Sequence, residues 1–159
     1  MDSRSSLYVG KDKVALTLQL RGGTVLDGHV FLFPQEGPGI FLWTRLLAFL
    51  NDPSPYFPFQ ARDGGIVLVT RSSVMRVTVA SQETNDEDSA VYFTAAARAR
   101  FLLDDGSSID GRVFIDLAPD NTRVSDFLCK PETFFHVVDD RGHEILNKQS
   151  VPLAYPLAE

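Results

Sequence analysis

Three histidines, one cysteine and a short acidic run are the side chains here with reactive potential. His29, His136 and His143 fall in three different predicted elements. Asp139-Asp140-Arg141-Gly142-His143-Glu144 gathers carboxylates and an imidazole, a composition able to hold a metal ion. The same residues read more simply as a polar hairpin turn, because Asp and Gly are the usual turn residues. Cys129 falls on the C-terminal side of a predicted helix, where the helix dipole opposes a thiolate. No glycine-rich phosphate loop precedes a helix, and no Ser-His-Asp spacing stands out. The inventory predicts no catalytic residues, no metal and no cofactor.

Charge separates the remaining classes of function. The 159 residues carry 15 Lys+Arg against 21 Asp+Glu, a net charge of −6. Nucleic-acid binding depends on Lys and Arg neutralising phosphates, so an acidic chain without a basic run argues against it. Residues 13–79 hold six bases and four acids, residues 80–96 four acids and no base, and residues 97–159 seven bases and eleven acids. Only the first of these segments offers a modest basic face, through Arg21, Arg45, Arg62, Arg71 and Arg76. A lone thiol excludes an intramolecular disulfide and fits a cytoplasmic location. The first six residues are polar, so no secretory leader is expected. The most apolar stretch, residues 40–50, contains Thr44 and Arg45 and is too short to span a bilayer.

The elements that would position these groups occur twice. Leu20-Arg21-Gly22-Gly23-Thr24-Val25-Leu26-Asp27-Gly28-His29-Val30-Phe31 aligns with Leu103-Asp104-Asp105-Gly106-Ser107-Ser108-Ile109-Asp110-Gly111-Arg112-Val113-Phe114. Thr44-Arg45 then matches Thr122-Arg123, and Phe49-Leu50 matches Phe127-Leu128. Pro53, Phe57 and Gly64 match Pro131, Phe135 and Gly142, and Ser73-Val74 matches Ser150-Val151. About fifteen identities in one order indicate a tandem duplication. The expected organisation is a tail over 1–12, a first repeat over 13–79, an acidic linker leading into a strand over 80–96, and a second repeat over 97–159.

Each repeat reads strand-strand-helix-strand-strand-strand. Leu16, Leu18 and Leu20 alternate as in a half-buried strand. Gly22-Gly23 and Asp105-Gly106 are hairpin turns. Thr44 to Leu50 and the residues after Thr122 form short helices, each followed by proline. Pro152 and Pro156 should make the last element an edge strand or coil. So short a sheet buries one face by curling, which predicts two tandem small β-barrels, mainly β, each with one short helix and sharing an interface.

The glycine-centred segment Gly23-Thr24-Val25-Leu26-Asp27-Gly28-His29-Val30, with its counterpart at residues 106–113, resembles the first motif of Sm-like small barrels. Val69-Thr70-Arg71-Ser72-Ser73-Val74 loosely resembles the second motif, and Leu146-Asn147-Lys148-Gln149-Ser150-Val151 is a weaker version. The resemblance implies an Sm-like or SH3-like barrel with one strand bent at a glycine. It does not carry RNA binding across. The Asp and Asn that read bases in that family have no counterpart in the first repeat, and Asp116 and Asn121 are spaced differently.

Residues 40–47 are more apolar than their counterparts in the second repeat. Phe41, Trp43 and Arg45 are therefore the candidate partner-binding residues, with packing between repeats or subunits favoured over an exposed patch. Arg45 and Arg123 are each expected to reach a nearby carbonyl or carboxylate. The expected function is a non-enzymatic protein-interaction, scaffold or regulatory module, with a protein partner or self-association through barrel edges. The alternative is an Sm-like RNA binder using Arg21, Arg71 and Arg76.

Overall fold

The computed structural model describes residues 12–33, 42–79, 95–115 and 124–158. The acidic linker, Phe41 and Thr122-Arg123 lie outside the described residues. In chain order come β1 (Asp12–Leu20), β2 (Val25–Leu32), α1 (Leu42–Leu50), β3 (Tyr56–Ala61), β4 (Ile66–Thr70) and β5 (Val74–Val79). Then follow β6 (Ala95–Leu102), β7 (Ser108–Ile115), α2 (Val124–Leu128), β8 (Phe134–Asp139), β9 (Gly142–Asn147) and β10 (Leu153–Pro156). Single 3-10 turns at Arg71–Ser73 and Lys148–Ser150 lead into β5 and towards β10.

All ten strands belong to one antiparallel sheet, in the order β10-β6-β7-β8-β9-β5-β1-β2-β3-β4. The halves trace the same path, β5-β1-β2-β3-β4 and β10-β6-β7-β8-β9. Their local hydrogen bonds match as well. Leu20 N–H donates to Thr24 O at 2.8 Å, as Leu103 N–H does to Ser107 O. Arg71 N–H donates to Pro55 O at 2.8 Å, as Lys148 N–H does to Thr133 O. The first-hairpin turn places Gly22 and Gly23 at φ 91° and 98°, a region where a side chain meets steric cost and glycine does not.

Two closed barrels are not what the strands form. The sheet is open, with β10 and β4 as its ends. The reason is the partner of β5. It pairs with β9 of the other half, through Arg76↔Leu146, Val77↔Ile145 and Thr78↔Glu144, rather than with β4 of its own. β10 is an edge strand, as its prolines predict.

One glycine in each half sits where a neighbouring strand leaves no room for a side chain. Gly28 on β2 lies opposite Leu16 of β1 and Ala61 of β3. A Cβ there would strike the Gln60 carbonyl oxygen and come within 2.8 Å of the Phe59 ring. Gly111 on β7 is its counterpart, where a Cβ would fall 2.8 Å from Val138 O.

Two apolar clusters form the core. The first is built on Leu16, Leu18, Leu46, Phe57 and Phe59, the second on Phe101, Leu103, Ile109 and Val113. The central strands serve both. Val77, Ile145 and Phe134 belong to the first cluster, and Met75, Leu146, Phe135 and Val137 to the second. Helix α1 buries Trp43, Leu46 and Leu50, the spacing of one helical face. It packs on β8 of the other half. Asn51, just past its end, accepts from Phe134 N–H at 2.8 Å and donates to Phe134 O at 3.2 Å.

Gly28→Ala should cost at least about 2 kcal/mol of stability, because rigid backbone occupies the space. Urea denaturation measures this, and a loss below about 0.5 kcal/mol, the ordinary surface effect, would contradict the close packing at Gly28.

Candidate functional site

The groups that sequence analysis kept apart meet at the seam between the halves. His136 lies opposite Ile145, and His143 opposite Val138, in the β8–β9 hairpin. That register makes the imidazoles diagonal neighbours on one face. His136 Nε2 and His143 Nδ1 are 2.8 Å apart, and both residues are buried. One nitrogen of this contact carries the proton and the other accepts it. Trp43 from α1 covers the pair, with ring centroids 4.4 Å from His136 and 4.6 Å from His143 in stacked geometry. Burial, and then the neighbouring His143, lower the His136 pKa from 6.5 to about 3. At neutral pH its ring is uncharged.

A cavity of about 420 Å³ opens beside the stack. Trp43, Leu47, Phe127, Phe134 and Phe135 make its wall predominantly apolar, and His136 borders it. Lys130, Glu132 and Lys148 stand at its polar side. Lys148 Nζ donates to Lys130 O at 2.9 Å and lies 5.8 Å from the centre of the Phe127 ring. Burial is the main cause that lowers the Lys148 pKa. Among the described residues, no group of three or more His, Cys, Asp or Glu is placed to hold a metal.

Across the β5–β9 pairing, Arg76 donates to both carboxylate oxygens of Glu144. Glu144 is only 3% exposed. The hydrogen bonds to Glu144 raise the Arg76 pKa against the opposing effect of burial. Buried Asn147 donates to Val74 O at 2.8 Å, tying the same strands.

The three arginines of the RNA-binding alternative are held by protein groups. Arg76 is paired as above. Arg71 donates to the carbonyls of Phe49, Ser54 and Tyr56 and lies over the Phe57 ring at 5.2 Å. Arg21 Nε donates to Ser150 Oγ at 2.9 Å and lies 3.7 Å from Asp104. Of the partner-binding candidates, Trp43 is buried and joins the halves rather than forming an exposed patch. Arg45 donates to Asp12 Oδ2 at 2.7 Å and to Phe33 O at 2.9 Å, the acceptors expected of it. Phe41 lies outside the described residues. In the acidic run, Asp139 Oδ1 accepts from Arg141 and Gly142 N–H, forming the hairpin turn. His143 and Glu144, just beyond it, are buried on β9. Sequence analysis missed their pairing with His136 and Arg76, because it left His143 in the polar turn, whereas the strand begins in the structure at Gly142.

Exposed apolar surface concentrates at the ends of the sheet. Eight large apolar side chains are exposed among the described residues, and five lie on the two end strands. They are Ile66, Val67 and Leu68 on β4, and Leu153 and Tyr155 on β10. Comparison with protein-family models, curated proteins and solved structures finds no match to the chain. No helix among the described residues is long and apolar enough to cross a membrane.

The buried imidazole makes a pH prediction. The folded-state pKa of His136 lies below the unfolded value, so the unfolded chain binds the extra proton as pH falls. Stability should therefore decline from about pH 6.5 to about pH 4.5, above most carboxylate titrations. The slope from this group approaches about 1.4 kcal/mol per pH unit. His136→Phe should flatten the decline, and urea midpoints across that range with an unaltered slope would contradict the assignment.

Proposed function

We propose that this chain is a non-enzymatic protein-interaction module that recruits polypeptides by strand addition at the ends of its sheet. The observation that carries the reading is the concentration of exposed apolar side chains on β4 and β10. An unpaired edge presents a row of backbone donors and acceptors. A strand added there gains main-chain hydrogen bonds for affinity and side-chain contacts for specificity. β4, Ile66-Val67-Leu68-Val69-Thr70, has no lysine, proline or other charge to blunt it. Trp43 and Arg76 are engaged across the seam, and Arg71 within the first half, so none of them offers a free interaction group.

The same reading takes each half as one copy of a small Sm-like or SH3-like unit, opened so that its last strand serves a neighbour. The shared strand order and the tightly packed glycines at the equivalent positions 28 and 111 support that view. Affinity purification compares the native chain with Leu68→Glu and Leu153→Glu as bait. At least one polypeptide held by the native bait should be lost from a variant. Identical sets of bound proteins on all three baits would overturn the proposal.

A further inference from the structure

The strand-addition reading leaves the partner open, and the inference here rests on that reading. We infer that the partner is a second copy of the chain. β10 of one copy pairs antiparallel with β4 of the next, in the register that β5 and β9 use inside the chain.

The internal junction is the template. β5 pairs with β1 through Arg76↔Gln19, Val77↔Leu18 and Thr78↔Thr17. β10 pairs with β6 through Leu153↔Leu102, Ala154↔Phe101 and Tyr155↔Arg100. Since Leu20 aligns with Leu103, Leu153, Ala154 and Tyr155 occupy the places of Arg76, Val77 and Thr78. On the other side, β4 sets Thr70 opposite Tyr56 and Leu68 opposite Pro58, as β9 sets Asn147 opposite Phe134 and Ile145 opposite His136. Leu68 therefore stands where Ile145 stands, and Val67 where Glu144 stands. Inside the chain β5 and β9 are joined. Among the described residues, their counterparts β10 and β4 end the sheet, each with one edge that pairs with no strand.

Backbone polarity fits the same register. Arg71 N–H points to β3, donating to Pro55 O. Amides alternate sides along a strand, so the amide of Leu68 faces the free edge. Leu157 N–H points to β6, donating to Arg98 O, so the amide of Ala154 faces the other free edge. Ala154 and Leu68 of the next copy can then exchange two backbone hydrogen bonds, as a hydrogen-bonded antiparallel pair does. Pro156 has no amide and keeps the pairing from extending past that point.

Side chains agree as well. The buried ion pair of the junction, Arg76 with Glu144, has Leu153 and Val67 as its counterparts. Both members become apolar together, which preserves complementarity. Tyr155 and Leu68, about half and 70% exposed, gain cover in the same contact. The contact is head-to-tail, so it propagates to a ring or a filament according to the rotation between copies.

The test uses the full chain and two variants, Leu68→Glu and Tyr155→Glu, each altering one edge at an exposed position. Far-UV circular dichroism and melting first check that both are folded. Sedimentation should show the native chain as species of two or more copies and each variant alone as a monomer. An equimolar mixture of the variants should form a dimer of twice the chain mass, because it retains one native β10 edge and one native β4 edge. Hydrogen exchange on the native chain gives a second readout that needs no variant, with the amides of Leu68 and Ala154 slowing as concentration rises. A native chain that stays monomeric, a mixture that stays monomeric, or exchange independent of concentration would overturn the inference. If the native chain is monomeric yet a different polypeptide is still lost from the edge variants, strand addition stands and self-pairing falls.

Discussion

The structure depends on the pairing of β5 with β9, where strands from the two halves become neighbours and both their faces are covered. A sheet with one solvated face can peel at its ends. Here Val77 and Ile145 pack into one cluster while Met75 and Leu146 pack into the other. Separating the strands exposes apolar surface on both sides and strands the Arg76–Glu144 pair. A buried ion pair contributes little net stability against an apolar alternative, but removing one member leaves an uncompensated charge. Its effect at this junction is to disfavour other registers, since shifting β5 by one residue turns every side chain to the opposite face.

The seam extends beyond the strands. Helix α1, contributed by the first half, lies on β8 of the second and lays Trp43 over two stacked imidazoles, of which His136 is uncharged at neutral pH. Asn51 fastens the end of that helix to the backbone of Phe134 in both directions. Arg71 and Lys148 do parallel work in their own halves. Each lies near the phenylalanine ring of its own helix, Phe49 or Phe127, and each donates to a carbonyl at or just beyond the end of that helix. Arg71 and Lys148 thus brace the helix ends in their own halves.

Much of this was legible in the residues. Alternation in Leu16, Leu18 and Leu20, the glycine pairs at the turns and the repeated Asp-Gly step gave the hairpins, and the prolines gave the helix ends. The repeat itself anticipated two halves with one strand order. The neighbour of β5 was not legible, because alternation reports which face is buried and not which strand lies alongside. One sign was present: Phe134-Phe135-His136-Val137-Val138 lacks alternation, as a strand buried on both faces does. The site was less legible than the fold. Arg76 and Glu144 lie 68 residues apart, and only the inter-half pairing brings them together. His136 and His143 are only seven residues apart, but reading residues 139–144 as a turn left His143 off the strand that sets it diagonal to His136.

The central claim is that the two halves fold as one unit through the β5–β9 junction. Trp43 is the sole tryptophan and lies at the seam, so its fluorescence reports that junction while far-UV circular dichroism reports strands throughout. In urea, the two signals should follow one coincident transition, as two-state unfolding requires. Loss of the Trp43 signal at a lower urea concentration, with much of the strand signal still standing, would contradict the claim.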